Sequence, residues 1–209
     1  MRWLLIISAS LEVSTTLDVS AMQAARDARA RVVLDNARVR VYRAAAGSLT
    51  GVDPGPAVVV SLDDRAGTGV GRAVWVEDAA APSSISKMRG SIVIVQPRGD
   101  GVVPPQPAGS KPGDAQFTGM SFNLIFDNDR VSVIRARMEI GAREGFHTHG
   151  SDTIVVHLSG GRIEDTSDGK TVVNRWKRGD VEFEGLGTSH SARNVGGAVD
   201  VVLVALKPQ

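Results

Sequence analysis

Short runs of valine and isoleucine alternate along the chain with clusters of glycine, proline, aspartate and serine, a pattern typical of β-strands joined by turns. Residues 131–140 show it best, because Ile134 and Ala136 fall on one face of a strand while Arg135 and Arg137 fall on the other. We expect one core face and one solvent face, as in a sandwich or small barrel. The runs predicted as strands are RVRVY, AVVVSL, AVWVE, SIVIV, VSVIRARMEI, TIVVHL, TVVNRW, VEFE and VDVVLVAL.

An internal repeat divides these strands into two units. The stretch VLDNARVRVYRA (residues 33–44) recurs as IFDNDRVSVIRA (residues 125–136), with the same Asp-Asn pair and the same alternating apolar positions. Residues 98–119 between the units are rich in proline and glycine, which predicts an extended linker. The sequence therefore predicts related β-units over residues 25–97 and residues 120–209.

The N-terminus allows two interpretations. An apolar run from Trp3 to Leu11 after a single arginine predicts a cleavable signal peptide over residues 1–24, and hence an extracytoplasmic or secreted protein. Glu12 and Asp18 interrupt that pattern, and the alternative is an N-terminal strand or helix of a cytoplasmic protein. Only SAMQAARDARA (residues 20–30) looks helical, and the apolar run is too short to span a bilayer.

Composition excludes several classes of function. Among 209 residues, 24 basic and 23 acidic side chains give a formal charge of +1 without long blocks of either sign, so neither nucleic acid nor a membrane is an expected partner. The expected partner is a small-molecule ligand, and a homodimer is compatible with the pattern. The chain has no cysteine, so any metal must be held by nitrogen and oxygen ligands.

Four histidines are unevenly placed, and two of them, His147 and His149, are separated by one residue. Alternate residues of a strand point to the same face, so both imidazoles would reach one side. His157 and His190 complete the set.

Two spaced patterns surround these histidines: GAREGFHTHGSDTIVVHLSG over residues 141–160 and GDVEFEGLGTSHSARN over residues 179–194. They resemble the two signature stretches of the cupin superfamily. The first signature runs Gly, five residues, His, any residue, His, three or four residues, Glu, six residues, Gly, and this chain departs from it at Thr153. The second runs Gly, five residues, Pro, any residue, Gly, two residues, His, three residues, Asn, and the chain departs from it at Gly185.

The resemblance implies an all-β fold of duplicated double-stranded β-helix (jelly-roll) cupin barrels. It implies that His147, His149 and His190 bind one divalent metal ion, and imidazole does not distinguish Fe, Zn, Ni, Cu or Mn. Thr153 replaces the glutamate that ligates the metal in cupins, which predicts an ion that keeps its full charge and favours anionic ligands. Asp152 should point out of the barrel, because neighbouring strand residues face opposite sides.

Other polar residues near the signatures are not assigned as metal ligands. His157 lies four residues from Thr153, about 13 Å along a strand and too far to ligate the same ion. It is either a satisfied interior histidine or, with Thr153, a substrate-binding residue. Glu182 and Glu184 are expected on a solvated face, and the sequence nominates no general acid or base.

The first unit has no histidine, and the region where the histidine pair would fall is occupied by Asp53, Pro54 and Pro56. It is predicted to be a degenerate cupin unit that packs on its partner. The resemblance then implies a metal-dependent cupin acting on a small oxygenated molecule, with dioxygenase-like chemistry favoured because some iron dioxygenases are cupins with three-histidine sites. A noncatalytic small-molecule or sugar-derivative binding protein and a metal-pinned scaffold are the alternatives.

Overall fold

The computed structural model describes residues 29–63, 70–85, 88, 90–99 and 117–207. The predicted signal peptide and most of the predicted linker lie outside these residues, as does nearly all of the predicted helix. None of the helices in the described part of the chain has the length and apolar character needed to cross a membrane.

The first unit is one antiparallel sheet. Its strands are β1 (Arg31–Asp35), β2 (Val39–Ala45), β3 (Ala57–Ser61), β4 (Ala73–Val76) and β5 (Ser91–Pro97), and a short 3₁₀ helix covers Pro82–Ile85. The spatial order is β1-β2-β5-β3-β4. Both faces of β3 are buried, because Val58 and Val60 pack in one apolar cluster while Ala57 and Val59 pack in another.

The second unit forms an eight-stranded antiparallel sheet that curls on itself. Its strands are β6 (Phe117–Asp127), β7 (Val131–Thr148), β8 (Thr153–His157), β9 (Gly161–Ser167), β10 (Lys170–Trp176), β11 (Val181–Glu184), β12 (Ser189–Asn194) and β13 (Val199–Leu206). The order is β10-β9-β12-β7-β13-β8-β11, and β6 also pairs with β7.

The long strand β7 connects the two halves of this curled sheet. Its residues 131–138 pair with β13, whereas its residues 143–148 pair with β12. Gly141 lies between these segments with a φ of 77°, a backbone conformation that glycine adopts without strain. The two halves therefore face each other across a cavity, which is the arrangement of a jelly roll.

The repeat in the sequence corresponds to equivalent hairpins. The Asn36 side-chain oxygen accepts hydrogen bonds from the backbone amides of Arg38 and Val39, at 2.8 and 2.9 Å. Asn128 accepts the same pair of bonds from residues 130 and 131, both at 2.9 Å. The sheet order β1-β2-β5-β3-β4 also matches β6-β7-β13-β8-β11. Within the described residues, the first unit has no counterparts of β9, β10 and β12.

The sheet of the first unit packs against the outer face of this matching part of the second. Their shared core contains Val58 and Val93 from one unit and Ile154, Val156 and Val202 from the other, all fully buried. Burying each such side chain contributes about 1.5–3 kcal/mol. The other face of β8 carries Val155 and His157, which line the cavity. The first unit thus supports the strand that forms one cavity wall.

An ion pair joins the two units beside this core. Asp152 points away from the cavity, as its strand position predicts, and its carboxylate accepts bonds from the Arg38 guanidinium at 2.7 Å and the Leu186 amide at 2.8 Å. Both charged side chains are mostly buried.

Replacing Asp152 with alanine is therefore expected to lower the free energy of unfolding by about 3 kcal/mol, because it removes the acceptor of the Leu186 amide and a carboxylate paired with the mostly buried Arg38. Urea denaturation measures this loss. Asp127→Ala, which removes an exposed pair with Lys207, is the matched control and should have a much smaller effect. Equal stability of the two variants would refute this role for Asp152.

Candidate metal centre

The structure brings His147, His149 and His190 together, and His190 also lines the cavity. His190 on β12 pairs directly with His147 near the end of β7. His149 follows β7, and its backbone exchanges hydrogen bonds with Thr188 and Gly187, both at 2.9 Å. The ring centroids are 4.8–4.9 Å apart. One nitrogen from each ring lies within 4.8 Å of the other two, so the group could hold a metal ion.

Each of the three rings has its Nδ1 atom directed at an oxygen. The Nδ1 of His147 lies 3.0 Å from the Gly145 carbonyl, that of His190 lies 3.0 Å from Asp165, and that of His149 lies 3.5 Å from Glu184. With the proton on Nδ1, the opposite nitrogen Nε2 presents a lone pair. Oxygen partners of this kind orient histidine ligands in metal sites.

The Nε2 atom of His190 is buried and has no hydrogen-bond partner. A buried polar atom without a partner is costly, and a bond to a cation would satisfy it. Burial, followed by the proximity of His190 and His147, lowers the pKa of His149 to about 4. Its imidazole is therefore neutral at pH 7, the form that binds metals. The three residues thus fit a divalent ion.

Four carboxylates line the same cavity: Glu144, Asp165, Glu182 and Glu184. Burial, followed by the nearby charges of Glu182, Glu144 and Asp165, raises the pKa of Glu184 to about 8. Burial also raises the pKa of Glu144, although His190 and His147 oppose that rise. A cation at the three histidines would offset the repulsion within this acidic group.

The expectation that Glu182 and Glu184 face solvent was wrong. Both belong to β11, which closes one side of the curled sheet, and alternate residues of that strand point into the cavity. The sequence pattern also missed Glu144 and Asp165. Neither belongs to the two spaced patterns as a defined position, so no local signal marks them.

The cavity has a volume of about 100 Å³. That volume is enough for several water molecules or a small organic group. Besides the four carboxylates, the polar part of the wall includes His157 and His190. Most of the remaining wall is apolar, with Met138, Val155 and Leu203 among its residues. The site can thus accept a small molecule with polar atoms.

His157 lies in the cavity wall and is 2% exposed. Its ring stacks on Trp176 with centroids 4.6 Å apart and planes 18° apart, and Glu182 approaches its Nε2 at 3.9 Å. Neither ring nitrogen has a hydrogen-bond partner. His157 is therefore an interior histidine whose ring nitrogens make no hydrogen bonds among the described residues. It does not belong to the three-histidine group. Its predicted contact with substrate stays a prediction.

Thr153 is buried at the start of β8, and its hydroxyl lies 3.3 Å from that of Ser151. It shares strand parity with Val155 and His157 but is not among the residues that line the cavity. Its direct cross-strand partner is Glu184. The predicted role of Thr153 in substrate binding stays a prediction.

Asp53 of the first unit is exposed and pairs with Arg40 at 2.5 Å. Asp53→Ala is expected to leave the metal content unchanged, since the only described histidine group lies in the second unit. Elemental analysis of parent and variant tests this, and loss of an ion from the variant, or a second ion bound within residues 30–97, would contradict it.

No known protein-family profile matches the chain, and no curated protein sequence is similar to it. Among solved structures, a cupin domain from Bordetella pertussis Tohama I is 26% identical, covering 43% of this chain and 94% of that one, with a TM-score of 0.40. A cupin superfamily protein from Desulfitobacterium hafniense DCB-2 is 17% identical, covering 51% and 93%, with a TM-score of 0.36.

The polyketide cyclase RemF from Streptomyces resistomycificus is 13% identical, covering 51% of this chain and 78% of that one, with a TM-score of 0.40. In this chain the curled sheet, its shared long strand and the cavity between its halves define the fold directly. The described residues form a nearly all-β structure consistent with a jelly-roll cupin.

Proposed function

We propose that the chain is a metal-dependent cupin that acts on a small oxygenated molecule, with His147, His149 and His190 holding one divalent ion. The buried Nε2 of His190, which has no partner within a cluster of three imidazoles, is the observation that carries this proposal. The neutral state of His149 and the surrounding carboxylates both favour a cation at this position.

A bound divalent ion would supply Lewis-acid or redox chemistry at coordination positions that the protein leaves open. Three histidines alone do not fill such a coordination sphere, which is the arrangement of catalytic rather than structural sites. We favour oxygenase-type chemistry because the histidine set resembles that of some iron dioxygenase cupins.

We propose that His157 contacts the substrate. Its unpartnered nitrogens and the nearby Glu182 carboxylate could bind a hydroxyl or carbonyl group, while stacking on Trp176 fixes the ring. The apolar wall would exclude water around a bound molecule. The small volume favours a compact, oxygen-bearing ligand over a polymer.

The test combines oxygen uptake with ligand binding. Iron-loaded parent protein should consume oxygen with a small substrate drawn from a panel of diketones, hydroxy acids and catechols, and His147→Ala should abolish that uptake. Saturable binding to the same panel without turnover would instead support a noncatalytic binding protein. An empty pocket in a protein that unfolds on chelation would support a scaffold and refute the enzyme.

A further inference from the structure

An irregularity in the pairing of β7 with β12 changes which side chains face the histidines. His190 lies opposite His147, yet Ala192, two residues further along β12, lies opposite Glu144, three residues back along β7. One extra residue is therefore inserted on β7, a β-bulge. In a regular strand, residues three apart face opposite sides, but this bulge returns Glu144 to the face of His147.

The bulge directs the Glu144 carboxylate to the inner side of the histidine group. Glu144 lines the cavity beside His190, and its Oε2 lies 3.9 Å from the unpartnered Nε2 of His190. Its cross-strand neighbour Ala192 is small and leaves room for the longer side chain. The side chain is mostly buried, and no side-chain hydrogen bond holds it elsewhere among those described.

The other three cavity carboxylates are placed differently. Asp165 and Glu184 approach Nδ1 atoms, on the side of each ring away from Nε2. Glu182 lies beside His157. Among the described carboxylates, Glu144 is the one that approaches an Nε2 atom of the three-histidine group.

We propose that Glu144 is a fourth, anionic ligand of the ion, in place of the carboxylate that the chain lacks at Thr153. This inference rests on the proposed metal site. Two ligand atoms bound to one ion, each about 2.1 Å from it, lie about 3–3.4 Å apart, so the observed 3.9 Å requires a movement of less than about 1 Å.

A carboxylate ligand from β7 changes the chemistry expected of the centre. Its negative charge partly neutralises the ion, so the site favours anionic substrates less than three neutral histidines would. Glu144 would also supply the carboxylate charge that Thr153 does not.

The test uses Glu144→Gln, which keeps the shape of the side chain and removes its charge. Zn²⁺ affinity is measured by competition with a chromogenic chelator, and we expect the dissociation constant to rise about 10–100-fold. Glu139→Gln is the matched control, because it neutralises another glutamate of β7 that is exposed and pairs with Arg137 outside the cavity. The Zn²⁺ dissociation constant of this variant should stay within about threefold of the parent's.

The outcomes separate this inference from the proposed metal site. A parent that binds no Zn²⁺ overturns both, whereas Zn²⁺ binding that His190→Ala abolishes and Glu144→Gln leaves unchanged overturns only the role of Glu144. Circular dichroism of Glu144→Gln and His190→Ala checks that both variants are folded.

Discussion

Replacing His190 with alanine is expected to reduce bound metal from about one ion per chain to less than about a tenth of that. His190 supplies the buried nitrogen that lacks any other partner, and it pairs with His147 across two strands. Removing it leaves two imidazoles and exposes the ion to water. Metal content after dialysis against a chelator measures the loss.

His157→Ala is the matched control, because it removes another buried imidazole from the same cavity but lies outside the three-histidine group. It should retain the ion while weakening small-molecule binding. If the His157 variant loses metal as completely as the His190 variant, the ligand assignment is wrong.

Replacing Asp165 with asparagine is expected to weaken metal binding by about 10–100-fold without removing any ligand. The Asp165 carboxylate lies 3.0 Å from the Nδ1 of His190 and favours the tautomer whose Nε2 is free. An amide at this position can turn its NH₂ group toward Nδ1, which favours the wrong tautomer. Isothermal titration of the metal-free protein with Zn²⁺ provides the measurement.

Glu164→Gln is the control for this variant. Glu164 is the preceding residue on β9, faces the opposite side and pairs with Arg193 at 3.0 Å, outside the cavity. Its Zn²⁺ affinity should match that of the parent. Equal affinities of the Asp165 and Glu164 variants would show that the carboxylate does not orient His190.

The strands that the sequence predicts best are apolar on both faces. The run TIVVHL became β8, whose Ile154 and Val156 pack against the first unit while Val155 and His157 line the cavity. Burial on both faces requires an almost continuous apolar run, which is visible in the sequence alone. The similarity between the two repeat units is also visible in the sequence, since each copy keeps its turn residues and its alternation of apolar and polar positions.

Strands β9 and β12 were not predicted, because they carry the site. Their cavity faces present Asp165 and His190, so the apolar alternation that marks a strand is absent. Within residues 141–149, the sequence predicted a strand only at the His147 and His149 pair, and β7 continues through this region to Thr148. Polar side chains in these strands lie at the candidate metal centre, so the strands lack the hydrophobic pattern by which a strand is recognised in the sequence.

The candidate ligands His147, His149 and His190 could be found from the two patterns that resemble the cupin signatures, whereas their neighbours could not. Glu144 reaches the site through a β-bulge, and a one-residue shift in strand pairing leaves no mark in the sequence. Glu182 and Glu184 looked solvated because glutamate is seldom buried, and only the closure of the curled sheet places them in the cavity.

Elemental analysis of the untagged parent chain, loaded with excess Fe²⁺ or Zn²⁺ and then passed through a desalting column, tests the metal centre most directly. The convergence of His147, His149 and His190 predicts about one ion per chain and its release when the pH falls far enough to protonate the imidazoles. A loaded protein that retains no ion, or one that retains its full complement after all three histidines are replaced, would contradict the metal centre.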